Sequence, residues 1–192
     1  LMTVVWFSLP AILLAFIVLF ERERLSETDL RFLALIIALA IAGRILFAGI
    51  PNVQPATALL LLLSAYRGPL QGSVAGAFVA VLSSFFLGTG TFVIFQAFAF
   101  AFVCLGVSLI PWKRRRFPLA LYGLAAGYLY GWVSNIGFLA LTGFSVGGFI
   151  SLLVTGVFFD TLHGLSNLFF IYALHPIFLR IMRSADSIEG KE

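Results

Sequence analysis

Tyrosines and Cys104 aside, three ionisable side chains stand inside otherwise apolar runs of this sequence: Arg44, Asp160 and His163. A charge in a lipid-like stretch is costly, and its presence marks a functional site by default. Asp160, His163 and Asn167 follow an i, i+3, i+7 spacing, which puts them on one face of a helix. Arg44 lies about 10 Å of helix below the turn at Pro51, and Asp160 opens the last apolar crossing, so the two fall at a similar depth. An Arg44–Asp160 ion pair is therefore expected, either as a structural pin between two helices or beside a bound ligand. A metal site is not expected, because Asp160 and His163 lack a third ligand and His175 sits near the other end of its run. No enzyme is read here. There is no paired-carboxylate motif, no serine with a histidine base in reach by spacing, and no phosphate-cradling glycine loop before a lysine. The minor reading, an intramembrane hydrolase using Asp160 and His163, would need a further acidic or nucleophilic group that the sequence does not supply.

Uncharged polar residues gather around three turns, "IPNVQPA", "LGTGTF" and "LTGFSVGG". Asn52, Gln54, Thr57, Thr89, Thr91, Gln96, Ser134 and Asn135 lie on these turns or within about two helical turns of them. A buried amide in lipid is unfavourable unless it is hydrogen-bonded. Asn52 and Gln54 read equally well as helix caps, and Pro51 and Pro55 as stops and starts. Capping does not require Gln96 and Asn135 inside helices, so the set as a whole reads as the lining of a ligand cavity. Phe47, Phe92 and Trp132 are its candidate aromatic walls.

The elements that hold these groups are membrane helices. Of 192 residues, 61% are hydrophobic and 10% charged, with a mean hydropathy of +1.10, far outside the soluble globular range. Apolar runs at Thr3–Phe20, Arg31–Ile50, Pro55–Tyr66, Pro69–Leu87, Thr91–Pro111, Phe117–Leu141 and Val146–Leu179 give seven candidate helices. The third spans only about 18 Å against roughly 30 Å of bilayer core, so it reads either as a short crossing or as a re-entrant hairpin with the fourth. If every run crosses, the basic clusters "ERER", Arg67, "WKRRRF" and Arg180–Arg183 share one side, the cytoplasmic one. That favours seven crossings with the N-terminus outside and the C-terminus cytoplasmic. The net charge of +4 then reflects topology and contact with anionic headgroups, and nucleic acid is not an expected partner. The last run is too long for one straight crossing, so "GGFISLLVTG" is expected to lie partly in the outer leaflet or to break at Gly156, with the final crossing starting near Asp160. Cys104 stands alone in an apolar run and reads as a small core residue.

Small residues recur at every fourth position in three runs: Ala34, Ala38, Ala42; Gly68, Gly72, Gly76, Ala80; and Gly123, Gly127, Gly131. Each series makes a flat stripe for close helix contact, more often within a protein than between proteins.

The segments "GRILFAGIPNVQPATA", "LGTGTFVIFQAFAF" and "FFDTLHGLSN" together resemble the substrate-binding S component of an energy-coupling factor (ECF) transporter, in particular the cobalamin branch. The resemblance covers roughly residues 31–183. It implies an all-α, polytopic membrane bundle with a six-helix core over 31–183, residues 1–30 as an additional N-terminal helix and charged linker, and 184–192 as a polar tail. It also implies a multi-pass protein of a prokaryotic plasma membrane that takes up a vitamin from outside and topples to release it inward. Ala34, Ala38 and Ala42 match the motif that docks on a transmembrane coupling subunit, and ATP is used only by two partner ATPases. No covalently bound cofactor is implied. With "PNVQP" as a rigid lip, the expected ligand contacts are Phe47, Asn52, Gln54, Thr57, Thr89, Thr91, Phe92, Gln96, Trp132, Asn135, Asp160 and His163. Cobalamin, broad and amide-rich, is the expected ligand.

Overall fold

The computed structural model describes residues 25–189 without interruption, together with isolated positions between 10 and 22. The expected helix Thr3–Phe20 falls largely outside the described residues. Among the described residues there is no strand, and the chain runs through α1 (Glu27–Leu46), α2 (Ala56–Arg67), α3 (Pro69–Leu87), α4 (Phe92–Gly106), a 3-10 turn (Val107–Leu109), α5 (Arg116–Thr142) and α6 (Val146–Glu189).

Local chemistry sets the boundaries. Ser26 caps α1: its hydroxyl accepts from the Asp29 amide at 3.1 Å, while the Asp29 carboxylate accepts from the Ser26 amide at 3.2 Å. Asp29 also pairs with Arg67 at 2.7 Å, tying the start of α1 to the end of α2. Gly68, at φ 124°, joins α2 to α3 in a conformation that side-chain-bearing residues avoid, and Pro69 supplies the preset φ for the first turn of α3.

The core forms around the shortest helix. Every residue of α2 from Ala56 to Ala65 is buried, and α2 touches all five other helices. A helix apolar on all faces is stable only when surrounded, and the leucine run 59–63 is apolar on all faces. At about 18 Å it does not by itself match a bilayer core. Three helical stretches among the described residues are long and apolar enough to cross a membrane: Pro69–Leu87, Phe92–Leu109 and Val146–Ser184.

Two glycine stripes pack inside the bundle. Gly72 faces Ser64 and Leu60 of α2, Gly76 faces Phe100, and Gly127 lies directly on the backbone of Gly164, where α5 and α6 meet. The alanine stripe differs, since Ala34, Ala38 and Ala42 are all exposed. Ala34 and Ala38 line an open apolar groove of about 500 Å³ between α1 and α3, with Phe78 and Leu82 on its far wall.

The expected break at Gly156 does not occur. α6 is one helix of 44 residues, continuing past residue 183 into the expected polar tail. A glycine costs a helix only about 1 kcal/mol, and in an apolar environment a broken helix must find new partners for several backbone groups. Even Pro176 is accommodated. Its missing N–H frees the Tyr172 carbonyl, and Arg116 donates to that carbonyl while its guanidinium lies 4.2 Å from the Tyr172 ring centroid.

Candidate ligand-binding site

The "PNVQP" turn is lashed to α6. Asn52, in the left-handed region at φ 58°, donates its side-chain amide to the Phe159 carbonyl at 3.1 Å. The Gln54 backbone amide donates to Ser166 Oγ at 3.0 Å, and Ser166 Oγ donates back to the Gln54 carbonyl at 3.2 Å. One turn further on, Thr57 Oγ1 and His163 Nε2 share a hydrogen bond of 2.8 Å, with the two residues 0% and 2% exposed. Asn52 thus gives one side-chain N–H to α6 and stays exposed at the turn. Prolines at 51 and 55 hold the turn in the shape that makes these bonds, limiting the entropy lost on ordering it.

Behind the turn a buried polar cluster spans α1, α4, α5 and α6. Arg44 Nη2 donates to Gln96 Oε1 at 3.0 Å, and the guanidinium carbon lies 5.4 Å from the Phe100 ring centroid. Phe100 packs on Tyr130 at 4.8 Å between centroids, and Tyr130 meets His163 edge-on at 5.0 Å. Arg44 is close enough to Tyr130 and His163 to act on both electrostatically. Asn167 donates to the Gly123 carbonyl at 3.0 Å, using the space left by a residue without a side chain. The Asp160 carboxylate lies against Gly131, and Asp160 Oδ2 and Asn135 Nδ2 flank Gly156, so Asn135 and Asp160 converge there.

The expected ion pair between Arg44 and Asp160 is not formed. Ion pairs among the described residues are Arg31–Glu27 and Arg67–Asp29. Depth along two helices places two side chains in the same layer, but their angular positions decide contact, and Arg44 turns toward α4 while Asp160 turns toward α5. Both are buried, at 7% and 5% exposure, and Arg44 Nε, Arg44 Nη1, Asp160 Oδ2 and Asn167 Oδ1 have no hydrogen-bond partner.

The other expected contacts divide. Phe47 packs edge-on against Phe170 at 5.5 Å. Phe92 and Trp132 are 47% and 43% exposed, and the Phe92 ring folds over Gly90. Thr89 and Thr91 make no side-chain hydrogen bond among the described residues and lie half-buried at the α3–α4 turn. Thus Gln96, Thr57, His163, Asp160 and Asn135 belong to the interior cluster or its edge, Phe47, Asn52, Gln54, Thr89, Thr91 and Phe92 stand around the turn regions, and Trp132 lies exposed within α5. Sequence reasoning missed Phe100, Tyr130 and Ser166. The signal for Tyr130 was available, since a tyrosine in an apolar run carries a polar end that burial obliges to find partners.

Thr57 and His163 form a hydroxyl–imidazole pair that spacing alone did not reveal. Both are buried, and the pair joins α2 to α6. Among the described residues no group of three or more metal-ligating side chains is assembled. No protein-family model matches this chain, and neither does any curated protein or solved structure.

Proposed function

We propose that this chain is the substrate-binding membrane subunit of an ATP-driven vitamin-uptake transporter of the ECF kind, with cobalamin as its ligand. The observation that carries the reading is the presence of buried polar atoms without partners on Arg44, Asp160 and Asn167, on the helices α1 and α6 that flank a turn hydrogen-bonded to α6. Folded interiors rarely keep such groups unsatisfied, and a ligand that brings its own donors and acceptors removes the cost. Thr89, Thr91, Phe92, Trp132 and Asn135 then form the approach to the cluster, on the outer side of the membrane. The basic turns face the cytoplasm, where Tyr66, His175 and the Arg114 carbonyl interlock at 2.7–3.1 Å and secure the "WKRRRF" loop.

The exposed Ala34, Ala38 and Ala42 stripe and its groove supply a surface for the transmembrane coupling subunit, whose two associated ATPases provide the energy. Exposure favours docking over the internal packing seen for the two glycine stripes. The test has two arms. Mass spectrometry of small molecules retained by the detergent-purified protein should find a vitamin, and calorimetry should show cobalamin binding. The chain alone in liposomes should bind its ligand without concentrating it, and ATP-driven accumulation by the isolated chain would refute the reading.

A further inference from the structure

Among the described residues Arg44 is a cation without a counter-ion. It sits near the end of α1, 7% exposed, and its one hydrogen bond goes to the neutral carbonyl oxygen of Gln96. Phe100 offers the guanidinium a ring face, but Nε and Nη1 have no acceptor. The groups it touches on the other helices are Gln96 and Phe100 on α4, neither of them a carboxylate. The carboxylates that make ion pairs among the described residues, Glu27 and Asp29, lie at the opposite end of α1. A guanidinium removed from water is costly unless an anion answers it, and its planar array of five N–H donors suits an oxyanion. Gln96 holds one nitrogen in place without neutralising it, which leaves the charge for something else.

We infer, resting on the transport reading above, that Arg44 is a ligand contact that receives an oxyanion of the transported molecule, a phosphodiester or a carboxylate. In cobalamin the phosphodiester of the nucleotide loop would fill this place, and in a compact vitamin its carboxylate. Asp160 Oδ2 complements it as an acceptor for a ligand N–H. Arg44 thereby changes role, from one half of a structural pair to the group that reads the charge of the ligand.

The experiment uses the full chain in detergent and titrates four probes by calorimetry: cobalamin, cobinamide (which keeps the corrin ring but lacks the phosphodiester), biotin and pantothenate. The wild-type protein should bind an oxyanion-bearing probe, and Arg44→Gln should weaken that binding roughly tenfold to a hundredfold, the worth of a hydrogen bond to a charged group. Cobalamin bound more tightly than cobinamide identifies the phosphodiester, whereas tight biotin or pantothenate binding identifies a carboxylate. Arg44→Lys, which keeps the charge and loses the fork, should fall between wild type and Arg44→Gln. Equal losses for cobalamin and cobinamide in Arg44→Gln, or no loss, would overturn the inference. Should Arg44→Gln fail to fold, the wild-type comparison alone decides: cobinamide bound as tightly as cobalamin, with neither carboxylate bound, also overturns it. Wild-type protein that binds none of the four fails in a different way, refuting the transport reading and this inference with it.

Discussion

Replacing Thr57 by valine removes one hydroxyl and keeps the shape of the side chain, so it isolates the bond that fastens α2 to α6. Thr57 Oγ1 lies 2.8 Å from His163 Nε2, and neither residue reaches the surface. In Thr57→Val the imidazole nitrogen is left buried without its partner, which costs about 1–3 kcal/mol. For a chain of 192 residues that corresponds to a melting midpoint lower by about 2–12 °C. His163→Leu removes the other half and leaves the threonine hydroxyl buried and unpaired. The double variant has no unpaired group at the contact and should be more stable than the sum of the single losses predicts, by about 1 kcal/mol or more. Thermal unfolding of the four proteins in one detergent, followed by helical circular dichroism, measures the cycle. Strict additivity would refute the idea that this bond, and not the packing of two large residues, couples the helices.

The absent ion pair makes a second cycle informative: in ligand-free protein Arg44→Gln and Asp160→Asn should change stability independently, within about 0.5 kcal/mol, and strong coupling in thermal unfolding would show that the two meet. Gly127→Leu should prevent folding or lower the unfolding midpoint severely, because any side chain at 127 strikes the Gly164 backbone, whereas Gly147→Leu, with open space around it, should be tolerated. Ala38→Trp should fill the groove between α1 and α3 and abolish vitamin uptake in cells that contain the coupling subunit and ATPases, with ligand binding by the purified chain unchanged. Loss of folding and binding together would assign the stripe to internal packing.

Much of the helical scaffold can be read from hydropathy. Pro69–Leu87 agrees at both ends, because Gly68 and Gly88 punctuate an unbroken apolar run. The start of α1 was placed at Arg31 and lies at Glu27, since an apolar-run criterion passes over "SETD", a polar capping signal that was present in the sequence. The continuity of α6 was missed because glycine and proline are strong breakers in water, where freed carbonyls bond to solvent, and weak ones where Arg116 or the helix itself must satisfy them. The shared face of Asp160, His163 and Asn167 was legible from spacing, and all three are buried. Which groups they meet was not legible. Thr57 and His163 are separated by 106 residues, and Arg44 and Gln96 by 52, and nothing in either local sequence records the rotation of one helix against another.

On the proposed membrane reading, the central position of α2 bears on how such a chain would enter a bilayer during synthesis. A segment of 12 residues gains too little from lipid to stay inserted alone, and it packs against every other helix, against α1, α3 and α4 and also against α5 and α6, which are translated later. Burial of α2 is therefore completed only with the C-terminal half, and a chain halted before His163 leaves Thr57 without its partner and the side of α2 that packs on α6 uncovered. Quality control that recognises unassembled membrane segments would find its target at residues 56–65, in the middle of the finished protein.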